Sequence, residues 1–160
     1  MFERFARESR LAVLRAQDAA RRLGAEHVEP EHLLLALAEG NDPAGWALAE
    51  VGVRAGDVAD AIEQDLVATL EIVGVPPSVV ASTPAPPRND RPPFSQPSKR
   101  ALEHALREAV RRGDRRMGTE HVLLGILRRP AATVARVLAR LEVDPQRLAA
   151  LVQVEAAARR

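Results

Sequence analysis

Gly118-Thr119-Glu120-His121-Val122-Leu123-Leu124 decides the fold, because Glu29-Pro30-Glu31-His32-Leu33-Leu34-Leu35 writes nearly the same pattern 89 positions earlier. In both, a Glu-His pair runs directly into an apolar triplet. Outward from this stretch the register holds. Phe5 falls on Phe94, Ser9 on Ser98, Ala16 on Ala105, Ala20 on Ala109, Arg22 on Arg111 and Gly24 on Gly113. Past Leu37 and Ile126 the offset becomes 90, so that Leu48 meets Leu138 and Val53 meets Val143, the shift falling around Arg129-Pro130. Self-similarity of this extent marks a tandem duplication of one supersecondary unit.

The unit is helical. Leu11, Leu14 and Leu23, filled in by Ala16, Ala19 and Ala20, recur at helical spacing and predict a helix over 6–23 with these as its apolar positions. Gly24 follows as a left-handed stop. Pro30 opens a second helix. Leu33, Leu34, Leu35 and Leu37 make it apolar nearly all round, which places it at the buried centre of the copy. Asp42-Pro43 starts a third helix that runs to Glu50 before Gly52, and a fourth covers 55–70. The second copy predicts helices over 97–112, 119–128 and 131–141, and a last one from Asp144-Pro145, with Thr119 capping the buried one. The expected fold is all-α: two tandem pseudo-symmetric four-helix repeats, about eight helices, packed as one compact domain. The first repeat occupies 1–70, a Pro-rich linker 71–96 and the second repeat 97–160. Eight of the twelve prolines fall within 74–97, and prolines remove donors and favour extended chain.

Composition narrows the chemistry. The 160 residues contain no cysteine, which excludes disulfides, thiolate metal sites and cysteine nucleophiles. No apolar run approaches the roughly 18 residues that span a bilayer, and Met-Phe-Glu-Arg-Phe-Ala-Arg-Glu lacks the pattern of a signal peptide. A cytoplasmic location is expected. The net charge of +1 conceals an asymmetry: residues 1–69 balance to −6 and residues 94–160 to +7. Opposite charges either dock the copies together or meet different partners. The single lysine, Lys99, follows Ser98, so no Gly-rich phosphate loop ends in Gly-Lys-Ser/Thr. His32 and His121 each follow a Glu directly, face different parts of the helix surface and lack a third ligand, so they read as packed, helix-capping histidines. The serines have no nucleophile-elbow context and no paired base. No catalytic residue, cofactor or metal is expected, and the chain reads as no enzyme.

The opening Met-Phe-Glu-Arg-Phe, the Gly-Thr-Glu-His-Val-Leu-Leu-Gly-Ile-Leu segment and the duplication together resemble the Clp N-terminal (Clp repeat) domain, the ClpC type most nearly. The resemblance covers both repeats. It implies two four-helix repeats in one domain that receives adaptors and marked substrates for an attached unfoldase ring. Without an ATPase module in these residues, the expectation is a free-standing relative carrying recognition alone. In some ClpC-type members the domain reads phosphorylated arginine, and in actinobacterial ones it is the target of cyclic-peptide antibiotics.

Glu31 and Glu120 sit in the first turns of the two buried helices. Such an end attracts phosphate through its free amides, and a carboxylate beside it grips a guanidinium. The resemblance assigns this Glu to phosphoarginine, helped by a hydroxyl residue after the leading aromatic. Ser95 with Thr119 and Glu120 then form the complete set in the second repeat, whereas Ala6 and Pro30 leave the Glu31 pocket depleted. The bland alternative is that each Glu merely answers the helix dipole. By the same resemblance Phe2, Phe94 and Lys99 form an apolar floor at the seam for adaptors or cyclic peptides, so that sequestration of such an antibiotic is the alternative role. Trp46 is unassigned. A third reading, nucleic-acid binding, rests on Lys99, Arg100, Arg107, Arg111, Arg112, Arg115 and Arg116, but no aromatic is interleaved and the first repeat is acidic.

Overall fold

The computed structural model describes residues 2–76, 78–79 and 90–158, and the Phe2 side chain lies outside the described part. Among these residues the chain forms α1 (Arg7–Arg22), α2 (Pro30–Ala38), α3 (Pro43–Glu50), α4 (Ala55–Ile72), α5 (Gln96–Arg112), α6 (Thr119–Arg128), α7 (Ala132–Arg140) and α8 (Pro145–Ala158). A 3-10 turn over Phe2–Arg4 precedes them. This is the all-α, two-repeat architecture expected. Most of the expected linker's interior, 77 and 80–89, lies outside the described residues. No helix among the described residues is long and apolar enough to cross a membrane.

The core is built on α2 and α6. Leu33, Leu34, Leu35 and Leu37 are buried on one, and Val122, Leu123, Leu124, Ile126 and Leu127 on the other. Around them the sequence reading needs one correction. In α1 the leucines face out, Leu11 and Leu14 being 42% and 58% exposed, while Ala12, Val13, Ala16, Ala19 and Ala20 are buried. The reason is how closely the helices cross. Small side chains let α1 lie against α2, and leucines on that face would hold the backbones apart. The second copy uses the same device in stronger form. Ala101, Ala105 and Ala109 line the inner face of α5, and a methyl at Gly125 of α6 would collide with the Ala101 carbonyl and the Ala105 amide.

The copies are joined by exchange. The segment leading into α1 pairs with the loop leading into α6, and the segment leading into α5 pairs with the loop leading into α2. Met117 N–H donates to Arg4 O at 2.7 Å and Ala6 N–H to Met117 O at 2.9 Å. Its mirror is Val28 N–H to Pro93 O at 2.8 Å and Ser95 N–H to Val28 O at 3.1 Å. Two buried serines close the same two loops: Ser9 Oγ donates to Met117 O at 2.7 Å, and Ser98 Oγ to Val28 O at 2.6 Å. Each hydrogen bond of this kind stabilises by about 1 kcal/mol, and losing one partner in a buried site costs more. The paired positions Ser9 and Ser98 are therefore a seam device.

Candidate functional site: the helix ends at the seam

The two buried helices start alike. His32 Nδ1 accepts from Glu29 N–H and His121 Nδ1 from Gly118 N–H, both at 2.9 Å. Each histidine thus satisfies one amide that a helix start leaves open. Because His121 Nδ1 accepts, its proton is on Nε2, which donates to Asp114 Oδ2 at 2.9 Å. The histidines are buried capping groups. Burial pushes the His32 imidazole below its ordinary range, against the pull of Glu29 and the His27 carbonyl.

Thr119 has a different job from the expected one. Gly118 is the cap residue of α6 and Thr119 the first helical residue, fully buried. Its hydroxyl donates to Asp42 Oδ1 at 2.8 Å and accepts from Ala44 N–H at 3.3 Å, while Asp42 Oδ1 also accepts from Gly45 N–H. A side chain of the second repeat thereby completes the N-terminal cap of α3 in the first. Thr119 is committed to the seam.

Ser95 caps α5 by accepting from Ser98 N–H at 3.3 Å, and its backbone is tied to Val28. The crossed seam therefore puts Ser95 at the α2 start, with Glu31. The α6 start, with Glu120, meets Phe5 and Ala6 instead. The pairing of Ser95 with Glu120 is corrected accordingly. A linear offset identifies equivalent positions but does not reveal that equivalent segments trade places.

The two glutamates sit in unlike surroundings. Glu31 is half-buried, and burial holds its carboxyl above the ordinary carboxylate range. Its own helix amide and Arg136 pull it down, while Glu29 and Asp65 push it further up. Beside it, Asp65 of α4 is only 4% exposed and takes Arg136 of α7 in a bidentate pair at 2.8 and 3.1 Å. A guanidinium of this chain already occupies the acidic seat next to Glu31. Glu120 is one-fifth exposed, and a methyl at Gly118 would strike its carboxylate, so the group lies back over its own helix end. There it answers the dipole and faces the open amides.

Of the apolar floor, Phe94 is half-buried against the core beside Val28, Lys99 is exposed and the Phe2 side chain lies outside the described residues. The groove that does open along the seam has a volume of about 480 Å³ and is lined by Glu3, Arg10, Val13, Leu14 and Gln17, with Arg91 opposite. Gln17 Nε2 donates to Pro92 O at 3.4 Å across its end. Sequence reasoning missed these residues, having read Leu14 only as an apolar position at helical spacing. The basic face of the second repeat is partly spent internally: Glu108 takes Arg111 at 2.6 Å and Arg112 at 3.1 Å. Trp46 is 40% exposed and donates to Asn41 Oδ1 at 2.7 Å. Among the described residues no three His, Asp or Glu side chains cluster to hold a metal.

Comparison with known proteins is consistent along the chain. The family described as the Clp repeat (R) N-terminal domain matches residues 4–86 and 93–159. The chaperone protein ClpC1, chloroplastic, of Arabidopsis thaliana is 36% identical over 149 residues, covering 92% of this chain and 14% of that protein. The chain thus spans about one seventh of that relative's length. Among solved structures, the N-terminal domain of the caseinolytic protease associated chaperone ClpD from Arabidopsis thaliana superposes with a TM-score of 0.73 at 26% identity, covering 98% of this chain and 99% of that one. A ClpV N-domain solved in complex with a VipB peptide shares the fold, with a TM-score of 0.61 at 16% identity over 96% of this chain and 89% of that one.

Proposed function

The chain belongs to the Clp repeat (R) N-terminal domain family, and from that premise we propose that it is a non-enzymatic recognition module of the Clp unfoldase and protease system. It receives adaptors, marked substrates or the unfoldase itself. The observation that carries this reading is the seam. It presents a groove along α1 that Arg91 helps to line, and the two buried helices that meet at the seam each start with a carboxylate in the first turn. A channel with apolar lining and a carboxylate at a helix start are what an extended peptide with a charged mark requires.

The mark proposed is phosphoarginine, with Glu120 gripping the guanidinium while the α6 amides take the phosphate. Thr119 and Ser95 serve by fixing the helix ends. Glu31 is the weaker seat, because Arg136 and Asp65 fill its neighbourhood. Adaptors or a cyclic peptide are assigned to the surface that the resemblance gives to Phe2, Phe94 and Lys99, which keeps antibiotic sequestration as the second role. A cytoplasmic location belongs to the same proposal. Fluorescence anisotropy with a labelled peptide carrying one phosphoarginine, against the same peptide with plain arginine, tests it. Wild type is expected to prefer the marked peptide, Glu120→Ala to lose the preference, and Phe94→Ala to weaken both peptides equally. Equal binding of the two peptides by wild type would remove the mark-reading role.

A further inference from the structure

Where the first repeat carries Asp42, the second has only alanine. Helix α3 begins on the Asp42 carboxylate, which is held by Gly45 N–H and by the hydroxyl of Thr119 from the other copy. The corresponding helix α7 begins at Ala132 after the cap residue Ala131, which offers no side-chain cap. Across the seam the position matching Thr119 is Pro30, which has no hydroxyl. In place of the carboxylate there is a cavity of about 390 Å³, and Pro30, Ala131 and Ala132 all line it.

The charged part of its lining is basic. Arg100 of α5 and Arg129, just past α6, line it together with His104. Neither arginine has an ion-pair partner among the described residues, and His104 Nδ1 is buried with no hydrogen-bond partner. Burial, with the charges of Arg128, Arg107 and Arg129, holds His104 below the ordinary imidazole range, against Glu103. Every charged group that lines the cavity favours an anion.

We propose that this cavity is a carboxylate-binding site, which takes the side chain of an Asp or Glu in a partner peptide at the place that Asp42 fills in the first repeat. Pro30, Pro97 and Ala101 supply apolar walls for the adjoining peptide, and Arg100 and Arg129 the charge. Neither Glu31 nor Glu120 lines the cavity; through Pro30 it adjoins the α2 start, the weaker seat, and no residue of the α6 start lines it. The test is a titration of the whole chain, followed in 1H–15N spectra, with acetyl-Ala-Asp-Ala-amide, its Asn counterpart and inorganic phosphate. The Asp peptide is expected to shift the Ala131, Ala132 and Thr133 amides saturably, and the Asn peptide to leave them in place. Arg100→Gln with Arg129→Gln should weaken binding at least tenfold. Ala131→Asp, which rebuilds the internal carboxylate, should abolish binding while raising the thermal midpoint, so that its loss of binding is not a loss of fold. An equal response to the Asn peptide, no saturable shift, binding of phosphate in place of the Asp peptide, or undiminished binding by Ala131→Asp would each overturn the assignment.

Discussion

Replacing Thr119 by valine asks whether that residue serves the seam or a ligand. The side chains are nearly isosteric, so packing changes little and the hydroxyl alone is removed. In the native chain that hydroxyl donates to the buried Asp42 carboxylate at 2.8 Å and accepts from Ala44 N–H. A hydrogen bond to a charged group contributes about 1.5–3 kcal/mol, and a buried amide left without a partner costs about 1–3 kcal/mol. The two losses share one site and are not additive, so Thr119→Val is expected to cost about 3 kcal/mol. For a chain of this size that is a fall of about 6–12 °C in Tm. Urea unfolding of wild type, Thr119→Val and Thr119→Ser measures it, with Thr119→Ser keeping most of the stability because its hydroxyl remains. A Thr119→Val variant as stable as wild type, or a Thr119→Ser variant equally damaged, would refute the shared cap between repeats.

Three further expectations follow from the same geometry. Gly125→Ala should destabilise by about 1–3 kcal/mol, because its methyl meets backbone atoms of α5 that cannot turn aside; an unchanged unfolding midpoint would contradict the close crossing. Leu14→Asp should change stability by less than about 0.5 kcal/mol, since the side chain is exposed, yet abolish peptide capture in the groove, as anisotropy with a labelled peptide would detect. Glu31 gives a pH signature. Its folded carboxyl holds a proton more tightly than the ordinary value of 4.5, so the stability it contributes is present below that value and is lost as pH rises through the folded one. Glu31→Gln should therefore be more stable than wild type at pH 7 and lose its advantage toward pH 4, and an advantage equal at both would place Glu31 outside a buried environment.

Much of the fold was legible because it was written twice. The 89-residue offset identified the repeat, the leucine runs identified α2 and α6 as central, and Asp42-Pro43 marked a true helix start. What was not legible depends on three-dimensional exchange. Leu11 and Leu14 fit a helical stripe, but which stripe faces inward depends on how closely α1 approaches α2, and that approach selected the alanines. The site was less legible than the fold. Ser95 and Glu120 are equivalent in spacing to Ala6 and Glu31, yet the crossed seam sends Ser95 to the other helix start. Thr119 looked like a cap or a ligand because its partner Asp42 is 77 residues away. Arg136 and Asp65, 71 residues apart, gave no sequence sign that they would occupy the seat beside Glu31.

The central claim is that the chain reads a charged mark at the α6 start, while near Glu31 its own Arg136 is held by Asp65. Calorimetric titration with free phosphoarginine tests it most directly, on wild type, Glu120→Ala and Arg136→Ala. One saturable site in wild type, none in Glu120→Ala with its thermal midpoint unchanged, and a second weaker site in Arg136→Ala is the predicted result. No saturable heat in wild type, or binding that survives in Glu120→Ala, would contradict it and leave Glu120 as a charge that only answers its helix.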